Sequence, residues 1–316
     1  MNNNTPNFNE FSRTTYKDWK EAATKMLKGE NPDISLKWSQ LDEIQLGAYY
    51  DEGRSKHLSY ISECLAKPEK QASWVQYERI LISNPKEANQ LAKKALMSGC
   101  DGIYFIGDLT SLRIEELLDG IAVSHCHLAF KNTGKPIEIN NELIKGFGSG
   151  VSGNSTKFRR LIEVNPNLTF VQQASQAISA AFAQQTARFF TISLRTGLDF
   201  FHEMARVRAI KLITTAYSQF SQHDISVDVH AEPMPGINEG DHLLRQTTSG
   251  LAAILGGVSS IAFDPGESKW AANGTNRVSR NIGNLIRHEA RLDSIQSAAN
   301  GAYFIDYLTD LLARKI

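Results

Sequence analysis

From Trp74 onward the chain alternates two hydrophobic patterns. Short runs rich in β-branched and aromatic residues indicate strands, and longer segments with apolar residues at helical spacing indicate helices. The predicted strands are residues 74–81, 101–108, 121–130, 135–141, 158–164, 189–194, 226–232 and 259–265. The predicted helices are residues 85–99, 111–120, 170–185, 199–219 and 243–257. Strand–helix units in this number predict an α/β fold, a (β/α)8 TIM barrel, with a doubly wound open sheet as the alternative.

The N-terminal part of the chain follows no such alternation. Residues 1–12 are polar and Asn-rich, which predicts disorder. A helix is predicted over residues 14–28, and the stretch 30–70 is irregular, so we expect it to lie against the rest of the molecule or against a partner. The chain therefore divides into an N-terminal extension, residues 1–70, and a barrel domain, residues 71–316.

Charge and composition narrow the classes of partner. The 34 Lys and Arg residues balance 34 Asp and Glu residues, so electrostatics favours neither nucleic acid nor an anionic membrane surface as partner. No apolar run reaches the roughly 20 residues of a membrane span, and the polar N-terminus has no apolar signal core. The three cysteines are far apart and form no disulfide framework. A soluble cytoplasmic protein is predicted.

The seventh predicted strand, SVDVHAE, ends in two polar residues that are candidates for a site. His230 and Glu232 stand directly before the turn-rich stretch PMPGINEGD. In a barrel of this kind the carboxyl ends of the strands carry the chemistry, so both residues qualify by position. Hydrogen bonds to the following loop would explain both residues equally well.

Other polar patterns give weaker evidence for a functional site. His125 and His127 share one face of the third predicted strand, but no third zinc ligand is evident. FHEMAR places Arg206 where the zinc-protease motif HExxH needs its second His, so packing explains that helix better. The glycine-rich stretch 146–155 could cradle a phosphate or form a flexible loop, and the loop is favoured. No metal site is predicted.

Longer stretches carry a family resemblance. They are RFFTISLRTGLDFFHEMARVRAIKLI (188–213), LLRQTTSGLAAILGGVSSIAFDP (243–265), RVSRNIGNLIRHEARLDSIQSAANGAYFIDYLTDLLARK (277–315), and, near the N-terminus, YKDWKEAATKMLKGE and LGAYYDE. As a set they resemble the substrate barrel of methylmalonyl-CoA mutases, which are adenosylcobalamin-dependent isomerases, and the N-terminal stretches are similar to the start of the family's small (beta) subunits. The resemblance implies a TIM barrel for the second part of the chain.

The cobalamin domain of that family has no counterpart here. The family's D-x-H-x-x-G loop, whose His ligates cobalt, is missing, and the sequence ends at Ile316, inside the expected last barrel helix. A truncated gene product or a cut chain would explain that end. The resemblance thus implies adenosylcobalamin as cofactor, carried by a partner subunit, with none bound by this chain alone.

The resemblance also locates a pocket whose catalytic set is lost. Asn140 replaces the family's Gln after the fourth predicted strand, and Gly150 falls where an Arg pairs with the substrate carboxylate. Asn165 stands near the position of a Tyr-His pair. In the seventh strand His230 is kept, but Glu232 replaces Gln and would repel an anionic thioester. We expect a vestigial pocket at the barrel mouth and assign no catalytic residue.

These departures favour one function over two others. The first is a non-catalytic small subunit that forms a heterodimer with a catalytic large (alpha) mutase subunit, with the extension 1–70 at the interface. The second is an active acyl-CoA mutase barrel that uses a cobalamin domain supplied in trans. The third is a stand-alone binding protein or a chaperone-like homologue. None has nucleic acid or a membrane as partner.

Overall fold

Eight parallel strands close into a barrel in the computed structural model. The structure describes residues 14–40, 44–55, 58–65, 73–153, 155, 157–183, 188–221, 225–266, 277–295 and 298–316. The barrel strands are β3 (Val75–Leu81), β4 (Gly102–Gly107), β5 (His127–Asn132), β7 (Gly146–Ser149), β9 (Phe158–Glu163), β10 (Phe189–Thr196), β11 (Ser226–Pro233) and β12 (Ser260–Phe263). Each pairs in parallel with its neighbour, and β9 closes onto β10. The predicted TIM barrel is confirmed.

Two small sheets lie outside the barrel. The hairpin β1 (Trp38–Gln40) and β2 (Ile44–Leu46) is antiparallel, whereas β6 (Ile137–Ile139) and β8 (Val151–Gly153) pair in parallel. The α-helices are α1 (Tyr16–Met26), α2 (Pro32–Ser35), α3 (Glu52–Ser55), α4 (Ser59–Leu65), α5 (Pro85–Met97), α6 (Ile114–Leu117), α7 (Phe170–Phe182), α8 (Phe200–Ser221), α9 (Glu239–Gly256), α10 (Arg277–Asn284) and α11 (Tyr303–Lys315). A π-helical turn (Leu285–Glu289) and a 3-10 turn (Leu292–Ser294) follow α10.

Sequence patterns fix where several helices begin. Thr15 caps α1 in a capping box with Asp18, so the helix begins within two residues of its predicted start at residue 14. Asn84 caps α5 through its side chain, which accepts hydrogen bonds from Lys86 N and Glu87 N. The predicted helix 111–120 shrinks to the single turn α6. These caps satisfy N–H groups that the first turn of a helix leaves unpaired.

The fourth barrel strand is β7, and the prediction of residues 135–141 for that place was wrong. The flexible-loop interpretation of 146–155 was also wrong, since Gly146–Ser149 lies in the barrel sheet. Gly146 has φ +146°, and a Cβ there would lie 1.9 Å from Leu128 O. Glycine is thus required for β7 to approach β5, and a glycine-rich strand of this kind has little strand propensity to reveal it.

The third predicted strand also begins later than expected. Residues 121–126 form turns, and β5 starts only at His127. His125 N donates to Ala122 O within these turns. His125 and His127 therefore do not share a strand face. Among the described residues, no group of three or more His, Cys, Asp or Glu side chains could hold a metal ion.

The main core lies between the sheet and helices α7, α8, α9 and α11. Helix α8 is buried on nearly all sides, because the barrel covers one face and α11 packs on another. Two ion pairs serve its buried charges: Glu203 with Arg206, and Arg208 with Asp306. Both pairs are largely removed from water, so each charge depends on its partner.

Part of the N-terminal extension packs onto this core. Ile44 and Leu46 belong to the main core cluster, and Ile61 of α4 packs with Leu212 of α8. This stretch therefore lies against the rest of the molecule, one of its two expected positions. The predicted disorder of residues 1–12 falls outside the described residues, and the division of the chain at residue 70 stays a prediction.

Candidate functional site

His230 lies inside the barrel, on its axis. It is wholly buried, and its ring packs against Tyr77, Tyr104 and Phe147, with centroid separations of 5.8, 5.6 and 4.7 Å. Its Nδ1 lies 2.8 Å from Ser260 Oγ on the neighbouring strand β12. The side chains of Ala129, Leu161 and Ala262 complete the same interior cluster. His230 thus fills the axis as a packed core residue.

Burial sets the protonation state of this histidine. Removal from water lowers the pKa of His230 to about 4, against a smaller raising effect of Glu232. The ring is therefore neutral near pH 7, with one nitrogen facing Ser260. Its Nε2 and the hydroxyl of Tyr104 have no hydrogen-bond partner among the described residues. A neutral, enclosed imidazole of this kind has no open path to a ligand outside the barrel.

Glu232 stands one layer higher, at the mouth formed by the carboxyl ends of the strands. Its carboxylate accepts a hydrogen bond from Ser193 Oγ at 2.8 Å and lies 3.9 Å from the guanidinium of Arg79. Burial raises the pKa of Glu232, but His230, which is protonated only in acid, together with Arg79, the Ser193 hydroxyl and Lys131 outweighs it and holds this pKa below its usual value. Glu232 is therefore ionised and partnered.

Five further charges belong to the same mouth. Arg79 also pairs with Asp264 at 2.8 Å, and Lys131 pairs with Glu163 across the opening. Arg195 lies on the same face of β10 as Ser193, level with Glu232, so three cations and three carboxylates stand at the mouth. These residues were missed in the sequence. Each faces inward near the carboxyl end of its strand, so the two-residue alternation of the predicted strands was the signal that could have found them.

The other predicted pocket residues lie apart from His230. Asn165 follows β9 and is exposed, and its Oδ1 accepts a hydrogen bond from Asn167 N at 3.0 Å. Asn140 is exposed in the segment between β6 and the amino end of β7. The structure thus brings His230 and Glu232 together on one strand. Asn140 lies in the segment that returns the chain to the amino end of the barrel.

Gly150 forms the bend between β7 and β8. It has φ +65°, and a Cβ there would lie 3.0 Å from Asn132 O. Its carbonyl accepts hydrogen bonds from Asn132 Nδ2 and Ile137 N, at 3.1 and 3.2 Å. A larger residue would be strained in this bend, so an arginine does not suit this backbone.

A cleft of about 740 Å³ opens beside the mouth. Its lining residues are Arg79, Leu81, Pro235, Gly236, Ile237, Asn238, Glu239, His242, Asp264, Pro265 and Gly266. His242 joins two of its loops, because Nδ1 accepts from Gly236 N at 3.2 Å and Nε2 donates to Asp264 O at 2.9 Å. None of the aromatic residues of the axis lines this cleft. It is a surface feature beside the barrel opening.

Taken together, the geometry defines a parallel (β/α)8 barrel whose axis is filled and whose mouth carries ion pairs between its own side chains. Residues 168–316, a little under half of the chain, match the sequence model of the methylmalonyl-CoA mutase family. This carboxyl-terminal part of the chain is similar to that family. None of the described helices combines the length and the apolar character needed to cross a bilayer.

Relatives cover only part of the chain. A methylmalonyl-CoA mutase of Rhizobium meliloti (strain 1021) is 26% identical over 144 residues, which are 42% of this chain and 20% of that protein. A probable methylmalonyl-CoA mutase small subunit of Mycobacterium bovis is 25% identical over 150 residues, 43% of this chain and 24% of that protein. The chain thus spans about a fifth to a quarter of the curated relatives it matches.

The barrel also aligns with a solved structure of another family. A dihydropteroate synthase from Stenotrophomonas maltophilia shares 10% sequence identity at a TM-score of 0.37, over 70% of this chain and 94% of that one. A likeness at this score says nothing about activity.

Proposed function

We propose that this chain is a small, non-catalytic subunit of an adenosylcobalamin-dependent methylmalonyl-CoA mutase. Its partner would be a catalytic large subunit, in a cytoplasmic heterodimer that interconverts methylmalonyl-CoA and succinyl-CoA. The family match over residues 168–316 and relatives named as small subunits support this reading. The three cysteines, all free, agree with a reducing compartment.

The filled axis is the observation that carries the proposal. A barrel that takes an acyl-CoA into its axis needs free space there, and ligand sites of that size are usually preformed. Here Tyr77, Tyr104 and Phe147 surround His230 at ring-centroid separations of 4.7 to 5.8 Å. Tyr104 is fully buried, as is His230. A substrate could enter only if these side chains left a close-packed core, which is energetically costly.

Most charges at the mouth are paired with one another. A methylmalonyl group carries a carboxylate, which calls for an unengaged cation. Arg79 is held by Asp264 and Glu232, and Lys131 is held by Glu163. Glu232 is ionised and faces the opening of the barrel. Arg195, level with Glu232 on β10, balances the third carboxylate, so the mouth gives an anionic substrate no net attraction.

The two histidines at or near the mouth end of the barrel, His230 and His242, do not fit a corrin cofactor. A lower cobalt ligand must present an accessible imidazole nitrogen, and His230 is enclosed within the axis. His242, near the mouth, has both ring nitrogens in hydrogen bonds to the backbone of its own loops. No step of the reaction is therefore assigned to this chain, and the cofactor would be held by the partner.

The alternative of an active barrel with a cobalamin domain supplied in trans has less support. It needs a route from the cleft beside the mouth to the axis, and that cleft is lined by loop residues such as Ile237 and Gly266. Tyr77 and Phe147 are nearly fully buried beneath. The filled axis therefore favours the non-catalytic subunit over the active barrel.

Native mass spectrometry tests the proposal. The chain would be mixed with the catalytic mutase subunit from the same source, and the masses of the species recorded. A one-to-one complex with mutase activity, which the chain alone lacks, is the expected result. A chain that forms a homodimer and does not bind the large subunit would refute the subunit role. Conversion of methylmalonyl-CoA after addition of adenosylcobalamin and an isolated cobalamin domain would establish the active-barrel alternative.

A further inference from the structure

Two loops at the carboxyl ends of β11 and β12 meet at one histidine beside the mouth. The loop after β11 contributes residues 235–238 to the lining of the 740 Å³ cleft, and the loop after β12 contributes residues 264–266. His242, in the first turn of α9, contacts both loops and is 9% exposed. Added Cβ atoms on Gly236 and Gly266 would lie 2.2 Å from His242 N and 3.1 Å from its Nε2. Both loops therefore approach His242 closely through a glycine.

The two hydrogen bonds of this ring require one tautomer. Gly236 N lies 3.2 Å from Nδ1 of His242, and because an amide N–H can only donate, Nδ1 carries no proton. Asp264 O lies 2.9 Å from Nε2 and can only accept, so Nε2 carries the proton. A second proton, on Nδ1, would leave two N–H groups facing each other. Neutral His242 thus bonds to both loops, and protonated His242 bonds to the loop after β12 alone.

The other hydrogen bonds near the imidazole do not depend on its charge. Asp264 O also accepts from Ser279 Oγ at 2.9 Å, so the loop after β12 keeps its attachment. Ile237 N donates to Asp241 Oδ2 at 2.8 Å. The Arg245 guanidinium and this backbone N–H hold the pKa of Asp241 below its usual value, so its carboxylate persists in mild acid. Release would therefore begin at the one amide that is bonded to Nδ1.

The described charged groups around the imidazole come from three elements. Asp241 and Arg245 of α9 pair with each other at 2.7 Å, and Glu239 of the same helix lines the cleft. Asp264, after β12, pairs at 2.8 Å with Arg79 of β3. Residues 233–238, after β11, include no charged side chain. Carboxylates and guanidiniums ordinarily keep their charge between about pH 5 and pH 8, the range in which an imidazole changes its charge.

We propose that His242 is a pH-sensitive switch between the two loops, which are joined through its neutral ring and separate when the ring takes up a proton. The loop after β11 is then released at Gly236, and the cleft widens. Because the closed arrangement uses only the neutral imidazole, closure is complete at higher pH and is lost as pH falls. The switch changes the surface beside the barrel mouth and does not depend on the subunit function proposed above.

The sequence offers a selective test of this switch. The dipeptide Pro-Gly occurs only at residues 235–236 and 265–266, once on each loop. The full chain would be isotope-labelled in the proline carbonyl carbon and the glycine nitrogen. An NMR spectrum selected for bonds between the two labels then contains the amide signals of Gly236 and Gly266 alone. Pro265→Ala removes the Gly266 signal and thereby assigns both.

The native chain should respond at one loop only. Between about pH 8 and about pH 5 the Gly236 signal should shift. Exchange of its amide hydrogen with water, corrected for the intrinsic dependence of exchange on pH, should quicken about tenfold, because a hydrogen bond is lost. Gly266 N donates to Asp264 Oδ1 within its own loop, so the Gly266 signal should stay constant.

Matched variants identify the titrating group. His242→Asn places an amide oxygen near the position of Nδ1 and takes up no proton, so Gly236 should stay protected at both pH values. His288→Asn removes an exposed histidine elsewhere and should respond as the native chain does. Circular dichroism checks that both variants are folded, and His242→Gln, which is also uncharged, replaces His242→Asn if that variant does not fold.

Three results would overturn the proposal. The first is a Gly236 signal that does not respond to pH in the native chain. The second is a response that persists in His242→Asn or His242→Gln, because another group would then be titrating. The third is an equal change at Gly236 and Gly266, which would show loosening of both loops together instead of release of one.

Discussion

The two halves of the barrel are built differently. The last four strands, β9 to β12, alternate with the long helices α7, α8 and α9, and the family match lies in this part. Of the first four, β5 and β7 are followed by β6 and β8 instead of described helices. Buried ion pairs occur in both halves, Arg208 with Asp306 in the second and Arg280 with Glu78 of β3 in the first. The second half adds packing by long helices, and the first adds Gly146, which lets β7 approach β5.

Removal of Arg208 should give the largest effect, in the second half. Its guanidinium lies 2.5 Å from Asp306 and 2.8 Å from Asn300, with 2% of the residue exposed. Arg208→Met leaves a buried carboxylate unpaired, so we expect a loss of about 3–5 kcal/mol in the free energy of unfolding. Urea denaturation measures it.

The control is Arg245→Met, which removes a more exposed ion pair with Asp241 on α9. It should cost about 0.5 kcal/mol or less. The double variant Arg208→Met with Asp306→Leu should recover much of the loss. Equal effects of Arg208→Met and Arg245→Met would show that burial does not raise the contribution of the Arg208 ion pair.

In the first half, Gly146→Ala should come next in size. The added Cβ meets Leu128 O at 1.9 Å in a backbone that L-residues rarely adopt, so we expect a loss of about 3 kcal/mol. Gly29→Ala is the matched control, because it has φ +99° and nothing within 4 Å of the added atom. It should cost about 1 kcal/mol. Similar losses would mean that backbone strain, and not the approach of β7 to β5, requires glycine.

The axis joins the two halves, and its stability should depend on pH. The pKa of His230 is about 4 in the folded protein against a usual value of 6.5. Below pH 6.5 His230 therefore takes up a proton in the unfolded chain but not in the folded chain. The contribution of His230 is complete above pH 6.5 and is lost as pH falls towards 4, about 2–3 kcal/mol by pH 4.5.

Comparison of the native chain with His230→Phe isolates this contribution. Urea denaturation at pH 7 and at pH 4.5 should show a smaller loss of stability in the variant, by the same 2–3 kcal/mol estimate. An unchanged difference between the two pH values would show that His230 is hydrated inside the barrel.

The smallest effect is expected on catalysis by the complex. His230→Phe keeps the axis filled, so the mutase activity of a complex with the large subunit should stay within about twofold of the native value. Steady-state rates at saturating methylmalonyl-CoA measure this. A fall of tenfold or more with the complex intact would place the barrel of this chain in the reaction.

Much of the fold could be predicted from the pattern of apolar residues, and the misses have one cause. Strands β3, β4, β9, β10, β11 and β12 follow from runs of β-branched and aromatic residues. Strand β7 was missed because Gly146 and Gly148 are needed for close approach to Leu128 and Phe158. Glycine has a low strand propensity, so the local sequence does not predict a strand there. The start of β5 was misplaced because turn residues before His127 continue the apolar alternation.

The candidate site was predictable in part. His230 and Glu232 could be found because they end a clear strand. Their roles differ, since His230 is buried in the axis while Glu232 faces the mouth, two residues further along β11. Asn140 and Asn165 were placed by resemblance and are exposed in loops. Their membership of a vestigial pocket stays a prediction.

The sequence by itself determined the number and order of most barrel elements and the similarity of the carboxyl-terminal part to one family, because these depend on local periodicity and on residue identity. Only the tertiary structure decided that the axis is filled and that Arg79 and Lys131 are engaged by carboxylates. Both depend on which side chains face each other once the strands close. Sheet closure brings residues from distant parts of the chain within contact distance, and no local pattern encodes that meeting.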